Sequence, residues 1–474
     1  MKSAPSSHLD RRDKPSQERT MRSLCRLTLT SVVFFAVAVP VLSQNAVVDW
    51  NTTAASTIVK TVNSGGIIPT GGMTGIYLAY VNLAIFDALN AIHPRFQAYG
   101  GIRPDAAPDS SEAAAVATAA HDVLVNYFPN AATSLDSTYE NYLGSLPDST
   151  GAKNDGIALG HAVAAALIAQ RMGDGINGVC AYVHGSGPGV YQPAPCSYTY
   201  GSGPGVYEAT PPAFLLAQTP WIASMKPFTM TSSSQFRPDE GPTPLDSEEW
   251  VDDYNRTKLW GSLTNSPRTP EQTTIGLFWT PNPGPPFTSM LKSLVSTFSL
   301  DSLQAARLYA MVWTGYADAF IGCMDAKYHY SFWRPVTAIR AGGGNPELTA
   351  DPSWTPLAVT PNHPEYPAAH GCATGAVSSI VAGYFGSTDV PLSVTATYAV
   401  PAGLGGGSTT ATRTYNSTKE LLLEVEAARI YGGMHYHHSI VQGALLGHKV
   451  ARQLQREFFQ PLSGREKEDS EDGK

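Results

Sequence analysis

The sequence predicts an all-α fold, a large helical bundle with Gly/Pro-rich loop elaborations, on three observations. Apolar residues recur at three- and four-residue spacing in several long segments, whereas clear period-two alternation is scarce. Hydrophobic residues make up 43% and aromatics 10% of the 474 positions, ample for a buried core, while charged residues reach only 15% against a usual share of about 25%. Gly (43) and Pro (36) together fill about a sixth of the chain, so many ordered loops are expected between the helices. The net charge of -8 provides no broad basic field for a polyanion. No nucleic-acid partner is therefore expected, and any anion site has to be built locally.

Taken in order, residues 1–43 read as an N-terminal extension and signal peptide. The apolar run LTLTSVVFFAVAVPVL at 27–42 follows Arg22 and Arg26 and precedes Ser43, small enough for cleavage near Gln44. Its 16 residues fall short of the roughly 20 that a membrane span needs. No later stretch reads as a span, so the expectation is a secreted or periplasmic protein, free of the membrane after cleavage. Residues 44–173 form an N-terminal helical part: 72–92 has helical spacing, Ser111 and Glu112 open the Ala-rich 113–128, and 152–173 repeats the pattern.

Residues 174–298 shift to Gly, Pro, Ser, Thr and aromatics and read as a loop-rich insertion packed on the bundle. Within it GSGPGVY occurs at 185–191 and again at 201–207, two copies where a repeat architecture needs about three. Export permits disulfides, and Cys180 and Cys196 bracket this loop and are expected to pair, whereas Cys323 and Cys372 can be buried free thiols. Residues 299–462 form the C-terminal helical, catalytic part, with helices expected over 300–323, 421–430 and 439–459. The tail 463–474, SGREKEDSEDGK, lacks apolar anchors and is expected to be disordered.

Three short segments of that last part gather bases in an acidic, charge-poor chain: Lys327-Tyr-His-Tyr-Ser-Phe-Trp-Arg334-Pro335, Pro367-Ala-Ala-His370-Gly371, and Arg429-Ile-Tyr-Gly-Gly-Met-His435. They supply three fixed cations and two histidines able to titrate near neutral pH. Such a set suits a tetrahedral oxyanion. Guanidinium forks bind its oxygens, a lysine adds a point charge, and loop amides fill the remaining acceptors. One histidine can attack or coordinate the central atom while the other moves a proton.

The spacing Lys-x6-Arg-Pro, Pro-x-x-His, Arg-x5-His resembles the signature shared by type 2 phosphatidic acid phosphatases, bacterial nonspecific acid phosphatases and vanadium-dependent haloperoxidases. Upstream, VNLAIFDALNAIHPRF (81–96), TAAHDVLVNYFP (118–129), PFTMTSSSQFRP (227–238) and RTPEQTTIGLFW (268–279) resemble the soluble bacterial haloperoxidase-related branch. The resemblance implies vanadate as cofactor, with phosphate able to occupy the same site. Lys327, Arg334, Arg429 and the Ala369 amide would bind its oxygens. His435 would be the ligand to vanadium, or the nucleophile of a phosphatase, and His370 the acid-base group. The implied partners are small molecules: hydrogen peroxide, halide and an organic acceptor, or a phosphoester. A homodimer is also compatible with the family.

The chain departs from the family at two points. Ala368 and Ala369 stand where Ser and Gly are usual, which removes a hydroxyl contact. Ser439 stands where an Asp usually fixes the orientation of the metal-binding histidine, so either Ser439 does this weakly or another group substitutes. His363, seven residues before His370, resembles bromoperoxidases and favours bromide or iodide over chloride.

Other readings of the same residues are plainer. His437, His438 and His448 could join His435 in a divalent-metal site. Asp318 and Asp325 read as a solvated helix face, and Tyr328, Tyr330, Phe332 and Trp333 as walls of the pocket or core. Three functions compete: a haloperoxidase, a secreted acid phosphatase working through phosphohistidine, and a non-catalytic oxyanion- or metal-binding relative.

Overall fold

The computed structural model describes residues 45–178 and 203–462 in full, with the backbone of 181–182 and 197–198. The signal segment, the Cys180–Cys196 pair, the first GSGPGVY copy and the charged tail lie outside the described residues.

The N-terminal half contributes α1 (Ala46–Lys60), α2 (Met73–Ile92), α3 (Glu112–Tyr127), α4 (Ala132–Ser145) and α5 (Thr150–Gln170). Side chains close several of their first turns. Asn45 accepts from Val47, Ser111 from Ala114 and Ser149 from Ala152, each satisfying an amide that the helix itself cannot. α2 is long and apolar enough to cross a membrane, contrary to the expectation that no such stretch follows the signal. In the fold 94% of its apolar window is buried against other helices, as suits a core helix. α4 escaped the sequence reading because Leu135 is its one buried residue and leaves no apolar stripe to detect.

A two-residue parallel ladder joins β1 (Ala181–Tyr182) to β2 (Ser197–Tyr198). The stretch expected to be loop elaboration then proves partly helical, with α6 (Glu248–Gly261), α7 (Pro270–Phe278) and α8 (Gly284–Thr297). Local signals explain the difference. Ser247 caps α6, and Thr269 and Gln272 form a capping box around Pro270 at the start of α7. These start signals outweigh the Gly/Pro-rich composition.

α9 (Ser302–Tyr330) opens with a second capping box, Asp301 with Gln304, and runs through the middle of the bundle against α2. It is followed by α10 (Pro335–Ala341), α11 (Ala369–Phe385), the antiparallel hairpin of β3 (Leu392–Ala399) and β4 (Ser408–Tyr415), and α12 (Thr418–Tyr431) and α13 (His437–Glu457). α11 and α13 complete the packing around α9. Among the described residues the hairpin is the longer of the two departures from helix. Leu392, Val394, Ala396 and Tyr398 are buried in alternation, the period-two signature of a half-covered strand.

Because α9 is surrounded, the solvated face expected at Asp318 and Asp325 does not exist. Asp318 is fully buried and accepts from the amides of Phe228 (2.7 Å), Thr229 (2.7 Å) and Met230 (3.2 Å) and from the Thr229 hydroxyl (2.5 Å). Burial raises its pKa, and those donors oppose the rise. Asp325 is buried in a two-point pair with Arg237 at 2.7 and 2.8 Å. Both acids therefore tie the 227–238 segment to α9.

α11 and α13 approach closely enough for backbone to touch backbone. A methyl group on Gly447 would fall 2.2 Å from the Cys372 carbonyl, and one on Gly443 would fall 2.6 Å from the Ala368 carbonyl. Gly447→Ala is expected to cost about 2–3 kcal/mol by forcing the helices apart. A denaturation midpoint indistinguishable from that of the parent would contradict this packing.

Candidate active site

The five side chains expected to act together sit at or beside helix ends. Lys327 lies in the last turn of α9, which Ser331 stops in the left-handed region at φ 50°, and Arg334 is the N-cap of α10 with Pro335 behind it. A loop carries His363 and Glu365 to α11, where Ala369 is the first residue and His370 the second. Arg429 is in the last turn of α12, and His435 follows a turn through Gly433 at φ +71°. That turn needs glycine twice over, since a Cβ there would also meet the Gly261 carbonyl at 2.6 Å. The five residues expected to act together thus converge from three sequence segments.

Arg334 links the segments. Its Nε donates to the His363 carbonyl at 2.8 Å, Nη1 donates to the Met434 carbonyl at 2.9 Å and lies 3.2 Å from His435 Nε2, and Nη2 lies 2.9 Å from His363 Nδ1. Arginine has only donors, so both of these ring nitrogens must accept. The proton of neutral His435 is then on Nδ1, which donates to Glu365 Oε1 at 2.8 Å. The Tyr436 amide donates to the same oxygen at 3.1 Å, and Glu365 Oε2 has no partner among the described residues. His435 is thereby held with Nε2 as its acceptor nitrogen, and a ligand atom binding there takes over the lone pair that now accepts from Arg334.

Glu365 is the functional residue that the sequence reading missed, and it is the substitute for the absent Asp. Ser439 does not touch the His435 ring. Its hydroxyl donates to the Glu365 carbonyl at 3.4 Å, and its own carbonyl accepts from the Ala368 amide at 3.0 Å. Ser439 fixes the loop, and the loop presents the carboxylate. Lys327 reinforces the same loop, its Nζ donating to the carbonyls of Pro364 and Glu365, both at 2.8 Å.

Arg429 donates to the Trp279 carbonyl at 2.7 Å and lies 3.1 Å from Met434 Sδ, while its buried Nε has no partner among the described residues. His363, Ala369, His370, Arg429 and His435 line a cavity of about 340 Å³. The Ala369 amide belongs to the unpaired first turn of α11, whose positive end therefore faces that space.

Lys327, Arg334 and Arg429 are 0–1% exposed, and among the described residues Glu365 is the one carboxylate bonded into the cluster. Burial pulls Lys327 down to about 8 and, together with the adjacent Arg334, Arg429 to about 9, leaving both cationic at neutral pH. Burial raises Glu365 to about 7 against the pull of Lys327 and Arg334. His363, His370 and His435 keep surface on the cavity or beside it but lie deep in the fold. Burial and then the neighbouring cations hold all three well below the usual histidine range. The result is a concentrated, under-compensated positive charge. A buried charge is costly unless paired, so the site is built to receive an anion.

The divalent-metal alternative scatters in space. The His437 and His438 amides bond Asp253, the His438 ring reaches Glu249 and the Gly241 carbonyl, and the His448 ring meets Ser379. Among the described residues no three His, Cys, Asp or Glu side chains form a metal-holding group. Cys323 and Cys372 are buried and free. Tyr328, Phe332 and Trp333 are core residues, with Trp333 stacked on Trp250, and none of them lines the cavity.

Known proteins share part of this sequence and most of this fold. Residues 307–464 match the family described as the VCPO second helical-bundle domain. Vanadium chloroperoxidase of Curvularia inaequalis is 27% identical over 150 residues, which is 26% of this chain and 24% of that protein. A bacterial vanadium-dependent iodoperoxidase superposes with a TM-score of 0.67 at 21% identity, over 88% of this chain and 98% of the other. The C-terminal part of the chain is thus similar in sequence to a vanadium chloroperoxidase, and most of the chain shares the fold of the bacterial enzymes. The apo form of a bacterial vanadium-dependent chloroperoxidase shares the haloperoxidase fold as well, with a TM-score of 0.61 at 16% identity over 81% of this chain and 92% of the other. The chain spans about a quarter of the length of the curated fungal haloperoxidase in the matched region.

In this cationic site, a tetrahedral dianion of constant charge such as sulfate should bind more weakly as pH rises from about 6 to 9. Glu365 ionises in the lower part of that window and Lys327 loses its proton in the upper part, so both steps remove positive charge. Calorimetric titration of sulfate across pH checks this. Glu365→Gln should flatten the lower half of the profile and Lys327→Gln the upper half.

Proposed function

We propose that the protein is an exported, vanadate-dependent haloperoxidase that oxidises bromide or iodide with hydrogen peroxide. The reading rests on a cluster of three buried cations, of which Arg429 lines the cavity with His370 and His435, and on His435 Nε2, an acceptor nitrogen that now faces Arg334 and that a ligand atom could take over. This donor set fits a tetrahedral oxyanion bound through one nitrogen ligand. Lys327, Arg334, Arg429 and the Ala369 amide would hold the vanadate oxygens, and His435 Nε2 would be the ligand to the metal. Bound vanadate supplies Lewis-acid activation of peroxide.

The protein's own groups do the remaining work. Glu365 keeps the His435 proton on Nδ1, so that Nε2 stays basic. Arg334 and Lys327 currently donate to carbonyls and His nitrogens of the loop, and these contacts hold them in place before any ligand arrives. His370 is neutral while the surrounding cations are uncompensated. An incoming anion offsets them and raises its proton affinity, which suits it to accept a proton from peroxide and return it.

His363 supports the halide preference. It lines the cavity and accepts from Arg334, so a change there alters both the space for halide and the field of the guanidinium. The structural relatives are an iodoperoxidase and a chloroperoxidase. The choice for this chain therefore rests on its own residue.

A second reading, a secreted acid phosphatase, is favoured by the Glu365–His435 pair at 2.8 Å, because a carboxylate-buttressed histidine is also what a phosphohistidine nucleophile requires. One preparation assayed for bromide oxidation with and without orthovanadate, and for phosphomonoester hydrolysis, separates the two. The expected outcome is vanadate-dependent bromination, reduced at least about a thousandfold in His435→Ala, with weak hydrolysis. Strong hydrolysis that vanadate inhibits, without bromination, would make the phosphatase the function.

A further inference from the structure

Trp279 is held twice by the same helix. Its indole Nε1 donates to Glu424 Oε1 at 3.1 Å, and its carbonyl accepts from Arg429 Nη1 at 2.7 Å. Glu424 and Arg429 stand five residues apart on α12, a rise of roughly 7.5 Å, so this one residue spans more than a turn of that helix. The same carbonyl accepts from the ring of His370, which α11 supplies. Trp279, Arg429 and His370 line the cavity, whereas Glu424 does not.

The place of Trp279 in its own helix suits these contacts. It is the C-cap of α7, where the last carbonyls lack partners within the helix and form the negative end of its dipole. A guanidinium and an imidazole N–H are the partners that such an oxygen favours. Helix ends fray unless something ties them down, and here the tie is Glu424.

Glu424 is itself fully engaged. Oε1 also accepts from Arg413 Nε at 2.7 Å and from the Tyr415 hydroxyl at 2.6 Å, and Oε2 accepts from Arg413 Nη2 at 2.6 Å. Arg413 Nη2 reaches Glu271 in the first turn of α7 as well, at 2.8 Å, so one cluster grips both ends of that helix. The side chains of Glu424 and Arg413 are 14% and 19% exposed, which keeps the two-point pair largely out of water. Because Arg413 meets its charge, Glu424 can brace the cavity without drawing on the cations of the site.

We propose that Glu424 is a positioning residue for the oxyanion site, acting through Trp279 to fix the carbonyl that holds the Arg429 guanidinium and the His370 ring. Trp279 then does for His370 what Glu365 does for His435. It takes the proton of one ring nitrogen and leaves the other as an acceptor, but it does so as a neutral group. With the indole released, the end of α7 can turn away, and Arg429 and His370 lose their shared acceptor. This deepens the haloperoxidase reading and rests on it only for the identity of the oxyanion.

The test is a double-mutant cycle read by calorimetric titration of sulfate into full-length protein, which needs no vanadate and no turnover. Trp279→Phe and Glu424→Leu are each expected to weaken sulfate about fivefold, and the double variant about fivefold as well, because both break the same link. A purely structural contribution of Glu424 runs through Arg413 and persists when the indole is gone, so losses that multiply to about 25-fold overturn the proposal. Glu424→Gln keeps an acceptor for the indole and should bind sulfate within about twofold of the parent, whereas a loss equal to that of Glu424→Leu overturns the role. If Glu424→Leu does not fold, Trp279→Phe decides alone, since it leaves Glu424, Arg413 and Tyr415 bonded to one another. Parent-like sulfate affinity in that variant overturns the proposal.

Histidine ¹⁵N spectra supply the second arm, with His370 assigned by comparison with His370→Gln. Two well-separated ring-nitrogen signals are expected in the parent, and signals drawn towards each other in Trp279→Phe. Unchanged signals overturn the part of the proposal that concerns His370. Bromide oxidation by a protein whose sulfate losses multiply would overturn the positioning role and leave the haloperoxidase function intact. Coupled losses in a protein that oxidises no halide would overturn that function and leave the positioning role established.

Discussion

The positive charge concentrated behind the cavity is the constraint to which the rest of the site answers. Three cations cannot be buried around one carboxylate unless something fixes them against mutual repulsion, and here the fixing is done by the backbone. Carbonyls of Pro364, Glu365, His363, Met434 and Trp279 take the donors of Lys327, Arg334 and Arg429. Those carbonyls belong to loops, and the loops are held by helix ends. Bundle stability is thus converted into electrostatic strain that an oxyanion relieves.

The single carboxylate in the cluster is used sparingly. One oxygen of Glu365 accepts from His435 and from the Tyr436 amide, and the other makes no bond to any described residue. A second acid nearby would quench the cations and weaken the attraction for the ligand. A missing acid would let the His435 ring turn or take its proton on the wrong nitrogen. One buttressing carboxylate satisfies both demands.

Much of this was legible in the sequence, and the parts that were not have physical reasons. Lys327, Arg334, His370, Arg429 and His435 could be found because short, fixed spacings at helix ends bring them together. The glutamate that orients His435 is 70 positions away from it, in a loop where nothing distinguishes a structural acid from a solvated one. Asp318 was misread for a related reason. A helix enclosed on all sides has no polar face to mark its buried acid, and the amides that hold Asp318 come from a segment about 90 residues earlier. α6 to α8 were hidden by composition, although their capping residues were visible.

The glycine contacts between α11 and α13 have a consequence for motion. His370 opens one of these helices and His435 immediately precedes the other, so the distance between the two imidazoles is set where main chain lies on main chain. No side chain at that seam can change rotamer to open or close the gap. Thermal fluctuation there has to take the form of whole-helix separation, which is rare below global unfolding. The two imidazoles should therefore keep their spacing while the hairpin and the surface loops breathe, so that motion at the surface is not passed on to the pair.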